Sequence, residues 1–233
     1  MENPKPSLSI IIPTYNEAET IQQNLNHLIS LNVADEIIVV DGNSIDATIR
    51  IVAAFDQIKL IQSVQRGRSI QMIKAAKAAK GDLICFLHAD TTLPLSAKTD
   101  IHQVFADPKI QAASFFLSFD VKHPFYQLMS WFSRINLALT TYGDQGLIIR
   151  KDFYHQIGGF KEWPILEDLE IQYRIRKYGK FVKMRTSVRS SARRFEAQGK
   201  YKQLLIDCLI VIAWKLGCSP FKLKKYYSYQ SKQ

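Results

Sequence analysis

Short apolar runs alternate with amphipathic segments along the first ninety residues of the chain. Residues 9–12, 36–40, 59–62 and 83–87 are apolar runs of strand length, and they predict four strands. Between them, residues 21–29, 45–53 and 69–80 have the composition and spacing of helices, the first capped by Asn16 and Glu19. Strands that alternate with helices in this way predict a parallel sheet with helices on both faces.

The second half of the chain has a less regular pattern. It predicts strands at residues 112–119, 145–150 and 181–187, and helices at residues 124–140, 167–177 and 204–216. We therefore expect an α/β fold with a mostly parallel central sheet and a mixed second half. A single domain would span residues 1–233 in three parts, namely 7–100, 101–200 and a C-terminal helix with a basic tail at 201–233.

The formal net charge of +10 is concentrated late in the chain, in residues 174–194 and 222–225. Such a bias suits a polyanion, a nucleotide diphosphate or an anionic membrane surface, and the alternative is surface charge that maintains solubility. The longest apolar stretch, residues 204–214, is far shorter than the ~20 residues of a spanning helix, so none is expected. The N-terminus has no signal-peptide pattern.

The three cysteines, Cys85, Cys208 and Cys218, lack the paired spacing of zinc or redox sites, which fits a reducing, cytoplasmic setting. No strand is followed by G-x-G-x-x-G or G-x-x-x-x-G-K-[ST]. Their absence is an argument against a dehydrogenase and against a P-loop enzyme.

Three predicted strands each end in a polar cluster with a carboxylate, namely Glu17, Asp41 and Asp90. In open α/β sheets, ligands bind outside the carboxyl ends of the strands, so these acids predict a nucleotide and metal site. Asp41 could accept hydrogen bonds from a base or ribose, or cap the following helix, a role that Ser44 or Asp46 could serve equally well. Asp90 suits a hard divalent cation that also takes diphosphate oxygens, although it could instead begin a loop; His88 could orient it or ligate the metal.

Two further pairs of charged residues are candidates for catalysis and phosphate binding. Glu167 and Asp168 open a predicted helix, where the helix dipole alone favours acids, but a general base is the functional interpretation. Arg193 and Arg194 could bind phosphate oxygens bidentately, or could lie in a solvated basic loop.

Four ordered blocks between residues 7 and 195 resemble glycosyltransferase family 2: SIIIPTYNEAETI, EIIVVDGNSIDAT, GDLICFLHADT and LEDLEIQYRIRKYGK. The segments RGRSIQM, GDQGLIIR, IGGF and SSARRF resemble a small bacterial subgroup of that family. The resemblance implies the Rossmann-like GT-A fold and a metal-assisted, inverting transfer of a sugar from a nucleotide-diphosphate sugar to an acceptor hydroxyl. It also implies that residues 7–100 bind the donor and that residues 101–200 carry the acceptor site and the catalytic residues.

The resemblance assigns roles to individual residues. Asp168 matches the catalytic base, with Glu167 beside it, and Asp90 matches the final acid of an Asp-x-Asp metal motif. His88 replaces the first acid of that motif and is a second candidate ligand; imidazole suits Mn²⁺ better than Mg²⁺, so Mn²⁺ is favoured. Contacts to the nucleotide sugar are implied for Pro13, Thr14, Tyr15, Glu17, Asp41, Arg68, His88, Ala89, Asp90, Gln145, Arg193 and Arg194.

The acceptor is left open by the sequence. The aromatic residues of segment 125–132 could line an apolar acceptor groove or pack in the core, and segment 204–227 could lie on a membrane or dock on the domain. A lipid-linked acceptor at the inner face of the plasma membrane fits the first alternative in each case. Nucleic acid is not expected as a partner, because the strand-end acids would repel phosphates.

Two other functions remain open at this point. His88 leaves room for a degenerate, non-catalytic nucleotide-sugar binder. A sugar nucleotidyltransferase could share the fold, but PTYNEAETI lacks the glycine-rich basic loop typical of those enzymes.

Overall fold

The structure is a computed structural model that describes residues 5–227. Its strands are β1 Leu8–Thr14, β2 Glu36–Asp41, β3 Ile58–Gln62, β4 Leu83–Phe86, β5 Thr91–Thr92, β6 Ile110–Phe119, β7 Leu147–Arg150 and β8 Lys180–Ser190. Its helices are α1 Ile21–Leu31, α2 Thr48–Ala53, α3 Arg68–Ala78, α4 Ala97–Phe105, α5 Pro124–Phe132, α6 Lys151–Gln156, α7 Glu167–Tyr178, α8 Arg193–Gln198, α9 Lys200–Lys215 and α10 Pro220–Leu223. Short 3₁₀ turns occupy Ala138–Thr140, Gly143–Gln145 and Lys224–Tyr226.

The described strands form one sheet in the order β3-β2-β1-β4-β7-β6-β8-β5. The first four strands in that order are parallel, as predicted. β7 runs antiparallel to both of its neighbours, β4 and β6, while β6 and β8 are parallel to each other. The predicted fold class, a mostly parallel α/β sheet with a mixed second half, is confirmed.

The core divides into two layers because successive strand residues point to opposite faces of the sheet. Ile10 and Ile12 of β1 belong to one layer with the buried residues of α1 and α4, whereas Ile11 belongs to the other layer with those of α3, α6 and α7. β1 and β4 are buried along nearly their whole length, as expected for strands covered on both faces. This packing fixes the carboxyl ends of β1, β2 and β4 side by side.

Several predicted helices differ in extent from those observed, and the one expected at residues 45–53 begins only at Thr48, which leaves Ile45 outside it and exposed. The first helix of the chain was expected to be capped by Asn16 and Glu19, but it begins at Ile21 without a side-chain cap, because Asn16 has φ 53° and its side chain accepts a hydrogen bond from the Ile45 amide. The helix predicted at residues 124–140 ends at Phe132, where Ser133 caps it and turns its hydroxyl towards the Leu117 amide.

The predicted boundaries at residues 100 and 200 stay predictions, and residues 1–4 and 228–233 of the predicted domain lie outside the described part. The predicted C-terminal helix is present as α9. Among the described residues, no helix has both the length and the apolar character needed to cross a membrane.

Candidate functional site

Asp41 is fully buried at the end of β2, beside the end of β1. Its Oδ2 accepts hydrogen bonds from the Thr14 hydroxyl at 3.0 Å and the Ser44 hydroxyl at 2.5 Å, and its Oδ1 accepts one from the Ser44 amide at 2.7 Å. The carboxylate therefore closes the turn after β2, and it does not cap the following helix, which begins at Thr48 without a side-chain cap. Its contact with a nucleotide stays a prediction.

Gln71 of α3 ties the ends of β1 and β2 together. Its Nε2 donates hydrogen bonds to the carbonyls of Thr14 and Val40, both at 2.7 Å, and the side chain is buried. A Cβ at Gly42 would lie 3.1 Å from the Gln71 amide, so glycine suits this close approach. Through Gln71, α3 is held against the strand ends, and Arg68 at its first position is placed next to them.

The turn His88-Ala89-Asp90 follows β4 and is held by α1. The Asn24 side-chain amide donates a hydrogen bond to the Ala89 carbonyl at 3.0 Å. Asp90 is half-buried, and burial and the nearby Glu17 carboxylate together raise the pKa of its carboxyl to about 6. Asp90 and Glu17, which follow different strands, therefore lie close enough for their charges to interact.

Arg68 lies at the centre of a cluster of charged side chains. Its Nε donates to Glu167 Oε1 at 2.5 Å, its Nη1 is 3.3 Å from His88 Nε2, and its Nη2 is 3.9 Å from Asp168 Oδ2. The Glu167 side chain is 2% exposed and the Asp168 side chain 19% exposed. Of the two adjacent acids, Glu167 thus holds Arg68, and Asp168 is the one with a carboxylate open to a ligand.

Asp168 is positioned by a glycine turn as well as by Arg68. The Gly143 amide donates a hydrogen bond to Asp168 Oδ2 at 3.0 Å. A Cβ at Gly143 would lie 2.9 Å from His88 Nε2 and 3.4 Å from Asp168 Oδ2, so only glycine lets the turn come so close. Asp168 also lies in the first turn of α7, where the helix dipole favours a negative charge.

Burial and neighbouring charges shift several pKa values in this cluster. Burial and the Arg68 charge lower the pKa of His88 to about 3, so its ring is neutral at physiological pH. Burial raises the pKa of Glu167, although Arg68 opposes the shift. Despite its own burial, Arg68 has a raised pKa because Glu167 and Asp168 face it. Arg68 therefore remains a fixed positive charge beside Asp168.

Asp144 is a site carboxylate that the sequence analysis did not select. It lies in the 3₁₀ turn Gly143–Gln145, and burial, Asp168 and Asp90 raise its pKa to about 7. Its Oδ1 is buried and has no hydrogen-bond partner among residues 5–227. The segment GDQGLIIR contained this residue, but an acid between glycines before an apolar run is equally typical of a surface loop.

Arg193 and Arg194 of α8 connect the strand ends with α9. Arg193 Nη2 donates to Glu17 Oε2 at 2.9 Å, and Arg194 Nη2 contacts both Asp207 oxygens, at 2.8 and 3.1 Å. The Arg194 guanidinium also lies over the Tyr227 ring, 4.6 Å from its centroid. The predicted basic pair is therefore held beside the site rather than in a solvated loop.

The other predicted donor residues occupy two environments. Tyr15, which follows β1, lies under the Arg66 guanidinium at 4.6 Å, while Pro13 and Ala89 line the strand ends. Gln145 is buried, and its amide bonds to the Thr140 carbonyl and the Lys183 ammonium at 2.8 and 2.6 Å. Gln145 thus supports the turn that carries Gly143 and Asp144, and its predicted donor contact is untested.

The residues at the strand ends fit a divalent cation held jointly with a donor diphosphate. Within residues 5–227, no group of three or more His, Cys, Asp or Glu side chains could hold a metal ion. Mg²⁺ and similar cations, however, are commonly bound by one or two carboxylates plus substrate phosphates. Asp90 and the unpartnered Asp144 oxygen supply such carboxylates, whereas His88 directs its Nε2 towards Arg68.

The fold is an α/β sheet of the GT-A type, with acids gathered at the carboxyl ends of its parallel strands. Comparison with known families makes this specific: the glycosyl transferase family 2 model matches residues 9–161, and the chain belongs to this family.

Curated relatives are longer than this chain. A probable glycosyltransferase of Bacillus subtilis, YdaM, is 28% identical over 204 residues, covering 75% of this chain and 47% of the relative. A beta-monoglucosyldiacylglycerol synthase of Trichormus variabilis is 24% identical over 197 residues, covering 75% and 42%. The chain therefore spans about half the length of these relatives.

A solved structure shares the fold over almost the whole chain. A mannosyltransferase from Pyrobaculum calidifontis, in complex with GDP-Man and Mn²⁺, matches with a TM-score of 0.68. The match covers 98% of this chain and 70% of the other, at 20% identity, so it establishes a common fold.

Proposed function

We propose that the protein is an inverting glycosyltransferase that moves a sugar from a nucleotide-diphosphate sugar to an acceptor hydroxyl. The observation that carries the proposal is the placement of Asp168, which is partly exposed, hydrogen-bonded to Gly143, and flanked by the Arg68–Glu167 ion pair. Family membership and the carboxylates at the strand ends support the same chemistry.

Donor binding is proposed for the carboxyl ends of β1, β2 and β4. The loop after β1 carries Tyr15 and Glu17, and Asp41 would face the base or ribose from the end of β2. Arg193 is bonded to Glu17 of the loop after β1 and Arg194 to Asp207 of α9, and both arginines would offset the charge of the diphosphate. Their fixed positions mean that little ordering would be needed when the donor binds.

Asp168 would act as the general base. Each of its oxygens accepts one amide hydrogen bond, from Gly143 or Leu169, and a remaining lone pair would accept the proton of the acceptor hydroxyl while that hydroxyl oxygen attacks the anomeric carbon of the donor sugar. The bond from the anomeric carbon to the diphosphate oxygen breaks as the new glycosidic bond forms, so a single displacement inverts the centre. Arg68, with its Nη2 3.9 Å from Asp168 Oδ2, would help to fix the orientation of this carboxylate.

A divalent cation, Mn²⁺ or else Mg²⁺, is proposed as cofactor, with Asp90 as the residue that would hold it and His88 or Asp144 beside it. When bound, the cation would offset the negative charge of the donor diphosphate. The solved mannosyltransferase of similar fold contains Mn²⁺, which supports a metal but leaves its identity to experiment.

The acceptor and the location are proposed from a relative's name and from the cysteines. A lipid-linked acceptor would agree with the name of the Trichormus relative, a diacylglycerol glycolipid synthase. The three cysteines are all free thiols, as in proteins of a reducing compartment, which supports a cytoplasmic location at the inner face of the plasma membrane.

Calorimetry and turnover measurements on Asp168→Asn test the proposal. UDP, GDP and dTDP sugars would be titrated with and without Mn²⁺, and release of the nucleoside diphosphate would be followed with the donor that binds. We expect Asp168→Asn to lose roughly 10²–10⁴-fold in turnover, the range for a general base, while the donor Kd changes little.

Glu162→Gln is the matched control, because Glu162 is an exposed acid in the loop before the same helix. It should leave both donor binding and turnover at the parent level. Parent turnover in Asp168→Asn would overturn the base assignment. Tight donor binding by the parent without turnover would favour the non-catalytic binder, and formation of a nucleotide sugar would favour a nucleotidyltransferase.

A further inference from the structure

The outward face of α9 is apolar, which is the reverse of an ordinary surface helix. Five large side chains on this face are 54% to 81% exposed, and we call them the α9 stripe: Tyr201, Leu205, Leu209, Ile212 and Leu216. At 100° per residue they fall within one quadrant of the helix. Exposed apolar area on this scale marks a surface that binds something other than water.

The opposite face of α9 packs against the protein, so the α9 stripe is not an inward face that has failed to dock. Ile210 belongs to a buried cluster with Ile165 and Leu223, and the Trp214 ring lies 6.2 Å from the Trp163 ring. Asp207, on the same side, binds Arg194. The helix is therefore fixed in place with its apolar side directed to solvent.

The apolar surface does not end with α9. The Phe125 ring contacts the Tyr201 ring at 5.3 Å, which joins α5 to the first turn of α9. On α5, Leu128, Trp131 and Phe132 are exposed at i, i+3 and i+4, the spacing of one helix face. Two neighbouring helices thus each present an apolar face.

The charges around the α9 stripe are almost all positive. Lys200 is half-buried, and five lysines between residues 201 and 227 are exposed: Lys202, Lys215, Lys222, Lys224 and Lys225. Asp207 is the one acid in this segment, and the Arg194 guanidinium is bonded to it. By the same spacing of 100° per residue, Lys202 and Lys215 lie at the two edges of the stripe and form its lysine border, and Lys222, Lys224 and Lys225 follow in the segment after α9. An apolar face with a lysine border is complementary to a surface that combines hydrocarbon with negative charge.

We propose that the α9 stripe and its lysine border dock on the surface of an anionic lipid bilayer. A second copy of the chain is a poorer occupant, because a two-fold interface would bring each lysine border against the same border of its partner. The docked helix lies flat in the interface and does not span the bilayer. Because Asp207 and Arg194 join α9 to the site, docking would bring the site close to the lipid surface.

Cys208 provides a probe within this face. It is exposed and lies between Leu205 and Leu209, whereas Cys85 is buried. A Cys218→Ser variant labelled at Cys208 with an environment-sensitive fluorophore would be mixed with vesicles of phosphatidylcholine alone, or of equal parts phosphatidylcholine and phosphatidylserine. We expect a blue shift with the anionic vesicles that weakens at high salt, since lysine–lipid attraction is screened.

Flotation with the same vesicles tests the residues themselves. Leu205→Glu/Ile212→Glu should lower the bound fraction about tenfold or more, because two apolar contacts are replaced by charges that anionic lipids repel. Lys222→Gln/Lys224→Gln/Lys225→Gln should weaken binding to anionic vesicles by about fivefold for each charge removed. The control Leu95→Glu/Tyr178→Glu changes exposed apolar residues elsewhere and should float like the parent.

Several outcomes would overturn the proposal. One is that the parent does not float with anionic vesicles, and another is that the fluorophore at Cys208 shows no spectral shift with them. The third such outcome is that Leu205→Glu/Ile212→Glu floats to the same extent as the parent. A parent that elutes as a dimer, with a monomeric Leu205→Glu/Ile212→Glu variant, would assign the face to a second copy instead. If that variant fails to fold, the fluorophore on the Cys218→Ser protein still decides. Vesicle binding is measured without donor or acceptor, so its result is independent of the proposed transfer.

Discussion

The two sides of the candidate site are held by contacts between residues that differ greatly in their separation along the sequence. On the strand-end side, Asp41 bonds to Thr14 of the adjacent strand and to Ser44 in its own turn. On the helix side, which we define as residues 142–145, 167–168 and 193–194, the contacts are longer: Arg68 to Glu167 across 99 positions and Arg193 to Glu17 across 176.

This difference predicts which property of the protein a substitution on each side should change. The strand-end contacts form as soon as β1 and β2 pair, because the parallel register places Thr14 opposite Asp41. The helix-side contacts require both halves of the chain to be packed, so they bear the entropy of closing long loops. We therefore expect changes on the helix side to affect stability and catalytic geometry together, and changes on the strand-end side to affect donor binding first.

The largest effect on stability is expected for Arg68→Met. It would leave Glu167, nearly fully buried, without its cation, and loss of one partner of a buried ion pair costs about 3 kcal/mol or more. Arg68→Met/Glu167→Gln should recover much of that loss, because no charge is then left buried. Urea unfolding of both single variants and the double variant gives the coupling between the two residues.

Lys77→Met, an exposed cation on the same helix, is the control and should change the free energy of unfolding by less than about 0.5 kcal/mol. If the losses of the two single variants simply add in the double variant, Arg68 and Glu167 are not coupled, and the distinction between the two sides loses its main support.

The same distinction between short-range and long-range contacts explains how much of this structure could be predicted from the sequence. Each strand of the first half is a short apolar run followed by polar residues, so its strands, their parallel order and the placement of Asp41 and Asp90 at the strand ends followed from local pattern. The position of β7 between β4 and β6 did not, because an apolar run such as LIIR carries no information on which strands it will pair with.

Polar contacts between residues far apart in the sequence were the other feature that the sequence could not predict. Arg68 was predicted to contact the nucleotide, and nothing near it in sequence indicates that Glu167 and His88 face its guanidinium. Asn16 was predicted to cap a helix because its position is local, but its side chain binds the Ile45 amide of a neighbouring loop. Asp144 was overlooked for the same reason, since only the folded chain places it beside Asp90 and Asp168.

A smaller effect is expected for Asp41→Asn on the strand-end side. The amide cannot accept all three hydrogen bonds that the carboxylate accepts from Thr14 and Ser44, which should lower the free energy of unfolding by about 1–2 kcal/mol. If Asp41 also contacts the base or ribose, the donor Kd should rise further than loop distortion alone explains. Calorimetry with the donor that binds the parent measures this.

Asp46→Asn separates the two causes. Asp46 is exposed and accepts hydrogen bonds from Thr48 and the Ala18 amide, so its loss loosens the same loop without removing the strand-end acid. A donor Kd raised equally by both variants would show that Asp41 acts only by shaping the turn.

The smallest effect on stability, and the sharpest comparison of the two sides, is expected for Arg193→Gln. Arg193 spans them through Glu17 at 2.9 Å, but its side chain is 36% exposed, and such surface pairs contribute less than about 1 kcal/mol. The free energy of unfolding should therefore hardly change. Binding of the nucleoside diphosphate should weaken clearly more than that of the monophosphate, because Arg193 is proposed to offset the charge of the diphosphate. Arg185→Gln, an exposed cation on β8, should weaken neither. Equal weakening of both nucleotides by Arg193→Gln would mean that Arg193 only holds the loop at Glu17, and the diphosphate would then need another cation.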